Sequence, residues 1–479
     1  MRGAGLAWVL LGYADQNTSH WAVELKEADL HLHLTVCVRQ EEEAEETAAV
    51  RSRGKGIPLL GTCFLLVGDL AGGGMVALPH SIRSMGVVCG TLLLLSFCLI
   101  TGFTGVLLGK CWTILQHRWP QYRRHCQTPY QEIARRSCGW LMHLTVSGCV
   151  GFSLFGTCVA YLILAAEFFA DLFKEPIGVD LGLAVHLAIA AALVAPFTLL
   201  GSPEDFWYLI VGAMLSTLIA VGFLMTGMAI DRASMKEAAL KTPRKNGTGQ
   251  FESLPWTATE VDGLFQSVGV FIYAYTSHSC FPTIQQDMRE PRQWSVAVCV
   301  SYVVLLVYYV PVSLMATEVY GAGLRVNVVE SLGNHTCRTA ASLLVAVHVL
   351  LSFILMINPV SQELEHQFGL PHRFGWRRLL LRLSLVALVL AVAEGFPNLG
   401  PLLSFVGGST DTLLALVFPP LFFLCLSRQT HTDLLTTLPS YLLVALILVF
   451  VIGVLCAIGC TVSSAQNISE AFAGLTGDK

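Results

Sequence analysis

Between residues 57 and 461 the chain is a succession of eleven apolar runs, most of them near the length of about 20 residues that a helix needs to cross ~30 Å of hydrocarbon. They fall at 57–81, 86–109, 140–170, 181–200, 206–229, 261–284, 295–319, 339–366, 379–394, 400–426 and 438–461. A backbone in lipid must satisfy its own hydrogen bonds, so only helices and closed barrels span a bilayer. A barrel would show strands of ~10 residues alternating in polarity, whereas these runs are continuous. Composition agrees: 54% of the residues are hydrophobic and 13% are charged, where soluble chains run to about 25% charged. The expected fold is an all-α polytopic membrane protein with eleven transmembrane helices over residues 57–461.

The ends of the chain are different. Residues 1–56 read as a polar, largely disordered cytoplasmic lead. Its acidic run Glu41–Glu46 is solvated, and its apolar stretch Gly3–Gly12 is too short and glycine-rich for a secretory leader. Residues 462–479 read as a short tail. Lys and Arg set orientation. With the N-terminus inside, nineteen basic residues fall on the inner side and ten on the outer, and eleven spans then put the C-terminus outside. The dissenting segment is Asp231–Gln250, outer yet with five basic residues. Three sequons also fall outside in this arrangement, at Asn246, Asn334 and Asn467, and are the expected glycosylation sites. The formal net charge of −4 gives no basis for a nucleic-acid partner. The fifteen cysteines lie mostly inside apolar runs, with no CxxC pair, and read as small hydrophobes. No metal site or cofactor is expected.

Two of the runs are interrupted. The first holds Gly68-Asp69-Leu70-Ala71-Gly72-Gly73-Gly74-Met75-Val76-Ala77-Leu78-Pro79. Each glycine costs a helix interior roughly 1 kcal/mol relative to Ala, and Pro79 removes a backbone donor. Freed backbone groups are tolerated in a membrane where they line a cavity or pack on protein. The glycines therefore point to an unwound, ligand-binding segment, with close helix packing as the structural alternative. Asp69 is an ionisable residue in mid-span, which marks a functional site by default. Five spans later, Tyr273-Ala274-Tyr275-Thr276-Ser277-His278-Ser279 puts hydroxyls and an imidazole in the middle of the sixth run, followed by Pro282. Corresponding breaks in two halves of a chain are the best sequence pointer to a transporter's midplane site.

Gly72–Pro79 followed by a glycine-rich second span resembles the first-span signature of the amino acid/auxin permease family. Phe271 to Pro291 resembles its sixth-span signature, an aromatic-Tyr-Ser-His cluster leading to Pro-Thr-Ile-Gln and a basic loop. The hydroxyl cluster and the C-terminal segment Ala465–Phe472 further resemble the vesicular inhibitory amino acid branch, with the proton-coupled branch beside it. The resemblance covers residues 57–461. It implies two inverted five-helix repeats with broken helices 1 and 6, an eleventh helix, and secondary transport of amino acids. Sodium-coupled members often carry Asn four residues before the first glycine of the motif; Gly68 stands there, with Asp69 beside it. The expected coupling is a proton, or exchange, with sodium the alternative.

A zwitterion needs donors for its carboxylate, which backbone N–H groups at Gly72, Gly73 and Gly74 supply from a half-helix N-terminus. Its ammonium needs acceptors, for which Asp69, Thr276, Ser277 and break carbonyls are available. Tyr273 and Tyr275 offer aromatic faces. Asp69 and His278 are the candidate proton carriers, and Tyr161, Ser404 and Asp411 the candidate gates. Glu167, Ser352, Asn358 and Ser361 rank lower; His348 reads as a packing group. An amino-acid sensor that signals more than it transports is the second reading. An intramembrane enzyme is the third, disfavoured because no HExxH, GxSxG or metal-spaced cluster is present. The plasma membrane and a vesicular or lysosomal membrane are both open as the address.

Overall fold

A computed structural model describes residues 56–177, 181–199, 207–241, 258–370, 375–396, 398–428 and 439–477. The chain divides into two units between Gly56 and Ile57, and the second is the one described. Asn246 and the lead before residue 56 lie outside the described residues.

The first apolar run is two helices, α1 (Leu59–Leu70) and α2 (Gly73–Met85), bent by 57° at the break between them. Then come α3 (Val87–Arg118), a short α4 (Pro129–Cys138), α5 (Trp140–Ile177), α6 (Leu183–Val194) and α7 (Trp207–Lys241). The sixth run is again a pair, α8 (Ala258–Tyr275) and α9 (Phe281–Asp287). It is followed by α10 (Trp294–Tyr320), α11 (His335–Gln367) and α12 (Trp376–Gly395). The tenth run is α13 (Leu399–Val406), a π-helical stretch Gly407–Val417 with its seam at Thr412, and α14 (Phe418–Arg428). The chain ends in α15 (Ser440–Gly477). Every expected run holds a helix or a helix pair. Among the described residues seven helices are long and apolar enough to cross a membrane, and eight if the bent pair counts as one span. The rest fall short for local reasons: α6 has 12 residues before a 3-10 turn, α8–α9 is interrupted, and α12 carries Arg377, Arg378 and Arg382.

Two helices outrun the expectation. α7 continues past residue 229 to Lys241, and α15 continues past 461 to Gly477, so most of the expected C-terminal tail is helical. α15 is the most apolar candidate span and the least covered by protein; a helix apolar all round suits a lipid boundary. Its Leu448, Leu455, Ile458 and Val462 are exposed, as are Val88, Leu92 and Leu99 of α3.

Packing divides the helices by role. α11 lies along α5 and α7, while α8 lies against α2 and against α13 and the π-helical stretch. Small residues allow the second set to come close. A Cβ built on Gly74 would sit 2.6 Å from Ala274 Cα, and one on Gly269 would strike the Ser404 carbonyl. Ser404 is thereby committed to packing, its hydroxyl bonded to Ser464 of α15 at 2.8 Å. At the loop end of α1, Ile57 pairs with Met288 in a parallel bridge. Ile57 N donates to Asp287 O at 2.9 Å, and Arg289 N donates to Ile57 O at 2.8 Å. The two interrupted spans are thus tied together beside the basic connection after α9.

Candidate functional site

The two breaks meet. Around them lies a small cavity lined by Asp69, Gly72–Gly74, Tyr273, Thr276, Ser277 and Ser279 from the broken spans. Ser153, Thr157 and Tyr161 of α5, Met356 of α11 and Asp411 of the π-helical stretch complete its wall with Leu70 and Leu154.

Broken helices leave end groups that need partners. On the carbonyl side these come from α10. Tyr309 Oη lies 2.8 Å from Leu70 O, at the end of α1, and 3.1 Å from Ala274 O, at the end of α8. Tyr302 Oη donates to Tyr275 O at 2.8 Å. One face of α10 therefore clamps the C-terminal ends of both half-helices. On the amide side, α2 starts at Gly73 with no side-chain cap. Its first N–H groups and the positive end of its dipole are left for whatever occupies the cavity.

The glycines divide between two roles. A Cβ on Gly72 would fall on the Tyr161 hydroxyl, and one on Gly73 would lie 3.3 Å from the Tyr161 ring. These two face the cavity wall. Gly74, against the Ala274 backbone, serves helix packing as well.

Two acids line the cavity. Asp69, half-buried near the end of α1, accepts from Ser277 Oγ across the break. Asp411, 2% exposed, accepts from Ser153 Oγ of α5. No Lys, Arg or His is among the lining residues. The α1 C-terminus adds negative partial charge on the Asp69 side, while α2 presents positive charge across the gap. The cavity therefore holds both acidic groups and the uncapped amide end of α2.

Of the residues singled out from the sequence, Asp69, Gly72, Gly73, Gly74, Tyr161, Tyr273, Thr276, Ser277 and Asp411 line this one space. Three do not. Tyr275 is buried against Tyr302 and Tyr309 of α10, with ring centroids 6.0 and 5.4 Å away. His278 is buried toward α3, its Nε2 3.1 Å from Thr104 Oγ1 and its ring on Phe281. Ser404 is the packing residue described above. Within the unwound cluster, Tyr275 is thus turned toward α10 and His278 toward α3. Glu167 is also outside the lining, held by Asn327 Nδ2 at 3.2 Å. Of the sequons, Asn334 caps α11 through Cys337 N at 3.0 Å. Asn467 lies inside α15, its amide donating to Ser463 O at 3.1 Å.

The structure adds residues the sequence reading passed over. Ser153 and Thr157 share with Tyr161 a stripe four residues apart on α5, a polar line in an apolar span that helical spacing exposes. His348, read from the sequence as a packing group, is buried beside the break. Its Nδ1 lies 3.0 Å from Ala213 O and 2.7 Å from Thr217 Oγ1. Its Nε2 faces the Gly72 break and Ser352. Among the described residues no cluster of His, Cys, Asp or Glu could hold a metal ion.

A polar cavity between two interrupted membrane helices is the arrangement of membrane transporters of the broken-helix kind. The fold is shared with MhsT, solved in complex with L-phenylalanine: the TM-score is 0.53 at 13% identity, over 85% of this chain and 98% of that one. Residues 56–465 match the family model described as transmembrane amino acid transporter protein, and the chain belongs to that family, multi-pass membrane proteins that carry solutes rather than convert them. Similar curated proteins include amino acid transporter AVT1B of Arabidopsis thaliana, 24% identical over 84% of this chain and 70% of its own length. AVT1D of the same plant is 23% identical, over 75% of this chain and 62% of its own length. The vesicular GABA transporter of Caenorhabditis elegans is 23% identical, over 82% of this chain and 77% of its own length.

Proposed function

We propose that this protein is a secondary active transporter of amino acids or closely related small zwitterions. It works by alternating access, through eleven spans arranged as two inverted five-helix repeats and a peripheral eleventh helix. The observation that carries the reading is the cavity's charge pattern: the uncapped start of α2 and two carboxylates line one space where both helix breaks meet. That is the charge pattern of a zwitterion in reverse. The substrate carboxylate sits at Gly72–Gly74, where a side chain at the first two positions would run into Tyr161. Its ammonium sits at Asp69, with Thr276 and Ser277 as further acceptors. Tyr161 and Tyr273 form the walls that must part for entry. The names of the relatives, amino acid transporters and a vesicular GABA transporter, point to the same cargo class, and the second to a vesicular address.

Coupling is to protons, or the process is exchange, rather than to sodium. A sodium site wants several oxygen ligands. At Gly68, where a side-chain oxygen would help make one, a Cβ would already lie 3.3 Å from Met214 Cβ, so packing fills that place.

The test is counterflow in liposomes holding only the purified protein. Preloading with unlabelled alanine, glycine or γ-aminobutyrate should accelerate entry of at least one labelled amino acid of this set. A protein that binds one of them but never moves it across would be a sensor instead.

A further inference from the structure

We propose that a second cavity, beside Lys110 and Arg292, binds one anionic glycerophospholipid, its phosphate on the two cations and a headgroup hydroxyl or ammonium on Gln285. The cavity holds about 380 Å³, within the ~300–1,000 Å³ range of ligand pockets. It lies among α3, α9, the start of α10 and α14, and shares no residue with the cavity at the helix breaks.

Charge is the first observation. Lys110 and Arg292 both line the cavity and both are exposed. Neither is ion-paired among the described residues, and no acid is in the lining. Glu290, the acid nearest Arg292 in the chain, accepts from Gln293 instead. Lys110 directly follows the second apolar run and Arg292 precedes the seventh. Both therefore sit where the hydrocarbon ends, on the side that the basic residues mark as inner. That is the leaflet whose lipids carry negative charge.

Gln285 is the second observation, and it is independent of charge. It lines the cavity and is 2% exposed. Its amide nitrogen donates to Gly109 O at 3.3 Å and to Thr113 Oγ1 at 3.4 Å, both on α3. Its Oε1 has no hydrogen-bond partner, and a buried acceptor without a donor is unfavourable. A phosphodiester has acceptors only, so the donor must come from the group beyond the phosphate. The wall is held in place: Trp294 Nε1 donates to Gly105 O at 3.0 Å, and a Cβ on Gly109 would strike the indole.

The third observation separates a lipid from a soluble anion. Ile114 and Phe423 make an apolar part of the wall. Beyond it Val296, Val300, Val303 and Val307 form an exposed stripe along α10. From the first to the last is ~16 Å of helix, about one leaflet of a ~30 Å hydrocarbon core. An acyl chain lies along this stripe while its phosphate stays at the cations.

The experiment uses full-length protein in a non-ionic detergent, with bound lipid counted by native mass spectrometry. The probes share dioleoyl chains: phosphatidylglycerol, phosphatidylmethanol of the same charge but without a donor, and phosphatidylcholine without net charge. One phosphatidylglycerol should bind per protein, about tenfold more tightly than phosphatidylmethanol, roughly the value of one hydrogen bond to a buried group. Phosphatidylcholine should bind most weakly. Lys110→Gln combined with Arg292→Gln, both at exposed positions, should weaken phosphatidylglycerol binding at least about tenfold. Gln285→Leu should reduce it to the level of phosphatidylmethanol; should that variant not fold, the wild-type difference between the two anionic lipids reads the same contact. Equal binding of all three lipids, or an unchanged affinity in the double variant, overturns the site. Equal binding of the two anionic lipids overturns the contact to Gln285. Displacement by inorganic phosphate or glycerophosphoglycerol at concentrations equal to the lipid's overturns the lipid in favour of a soluble anion. None of these outcomes bears on the transport reading.

Discussion

At the scale of single residues, the glycine triplet separates two effects that a sequence cannot. Gly72 faces the Tyr161 hydroxyl and Gly74 the Ala274 backbone. Gly72→Ala should reach the membrane in normal amount yet lose about tenfold in uptake, ~1.4 kcal/mol in apparent affinity, because Tyr161 must move into the space of the substrate carboxylate. Tyr161→Phe should restore part of it in the double variant, a coupling that a double-mutant cycle reads directly. Gly74→Leu should instead lower the amount of folded protein, since the atom in its way is backbone. Equal abundance and equal uptake defects for both variants would show that the glycines act alike. The sequence made it legible that these glycines break a helix and that Asp69 sits among them. Which way each Cα faces was not legible, because a membrane helix is apolar on both its lipid and its protein side and gives no polar face to orient it. Asp411 shows the same limit. Its residue type marked it as functional, but its place in the cavity rests on Ser153, a partner 258 positions away in the chain.

At the scale of elements, the two broken spans are stabilised from α10. Tyr309 serves carbonyls of both α1 and α8, while Tyr302 serves one of α8. All three acceptors are buried away from water. Losing a partner there costs about 1–3 kcal/mol per stranded group. Tyr309→Phe should therefore lower thermal stability in detergent more than Tyr302→Phe does, and uptake with it. Equal melting temperatures for the two variants would mean that the carbonyls find other partners. Tyr302 and Tyr309 are seven apart on one helical face, yet the sequence gives no sign of what they hold, since the unwound carbonyls belong to other spans. The breaks themselves were legible because Gly and Pro act locally. The clamp was not, because it is tertiary.

For the whole molecule, orientation follows from the basic residues and predicts that the start of α11 faces the outside or the lumen. Asn334 there uses its side-chain oxygen to cap the helix, which leaves its nitrogen for a glycan. Asn467 is engaged within α15. Asn334→Gln should abolish a glycosidase-sensitive mobility shift that Asn467→Gln leaves unchanged, and a shift lost only with Asn467→Gln would contradict this placement. On the reading proposed above, a proton and not sodium is the driving ion. The measurement to make is uptake of a labelled amino acid into proteoliposomes at a fixed pH gradient, with sodium replaced throughout by choline. Uptake should be unchanged by the replacement and should vanish when the pH gradient is collapsed. Uptake that disappears without sodium and ignores the pH gradient would contradict the proton-coupled reading.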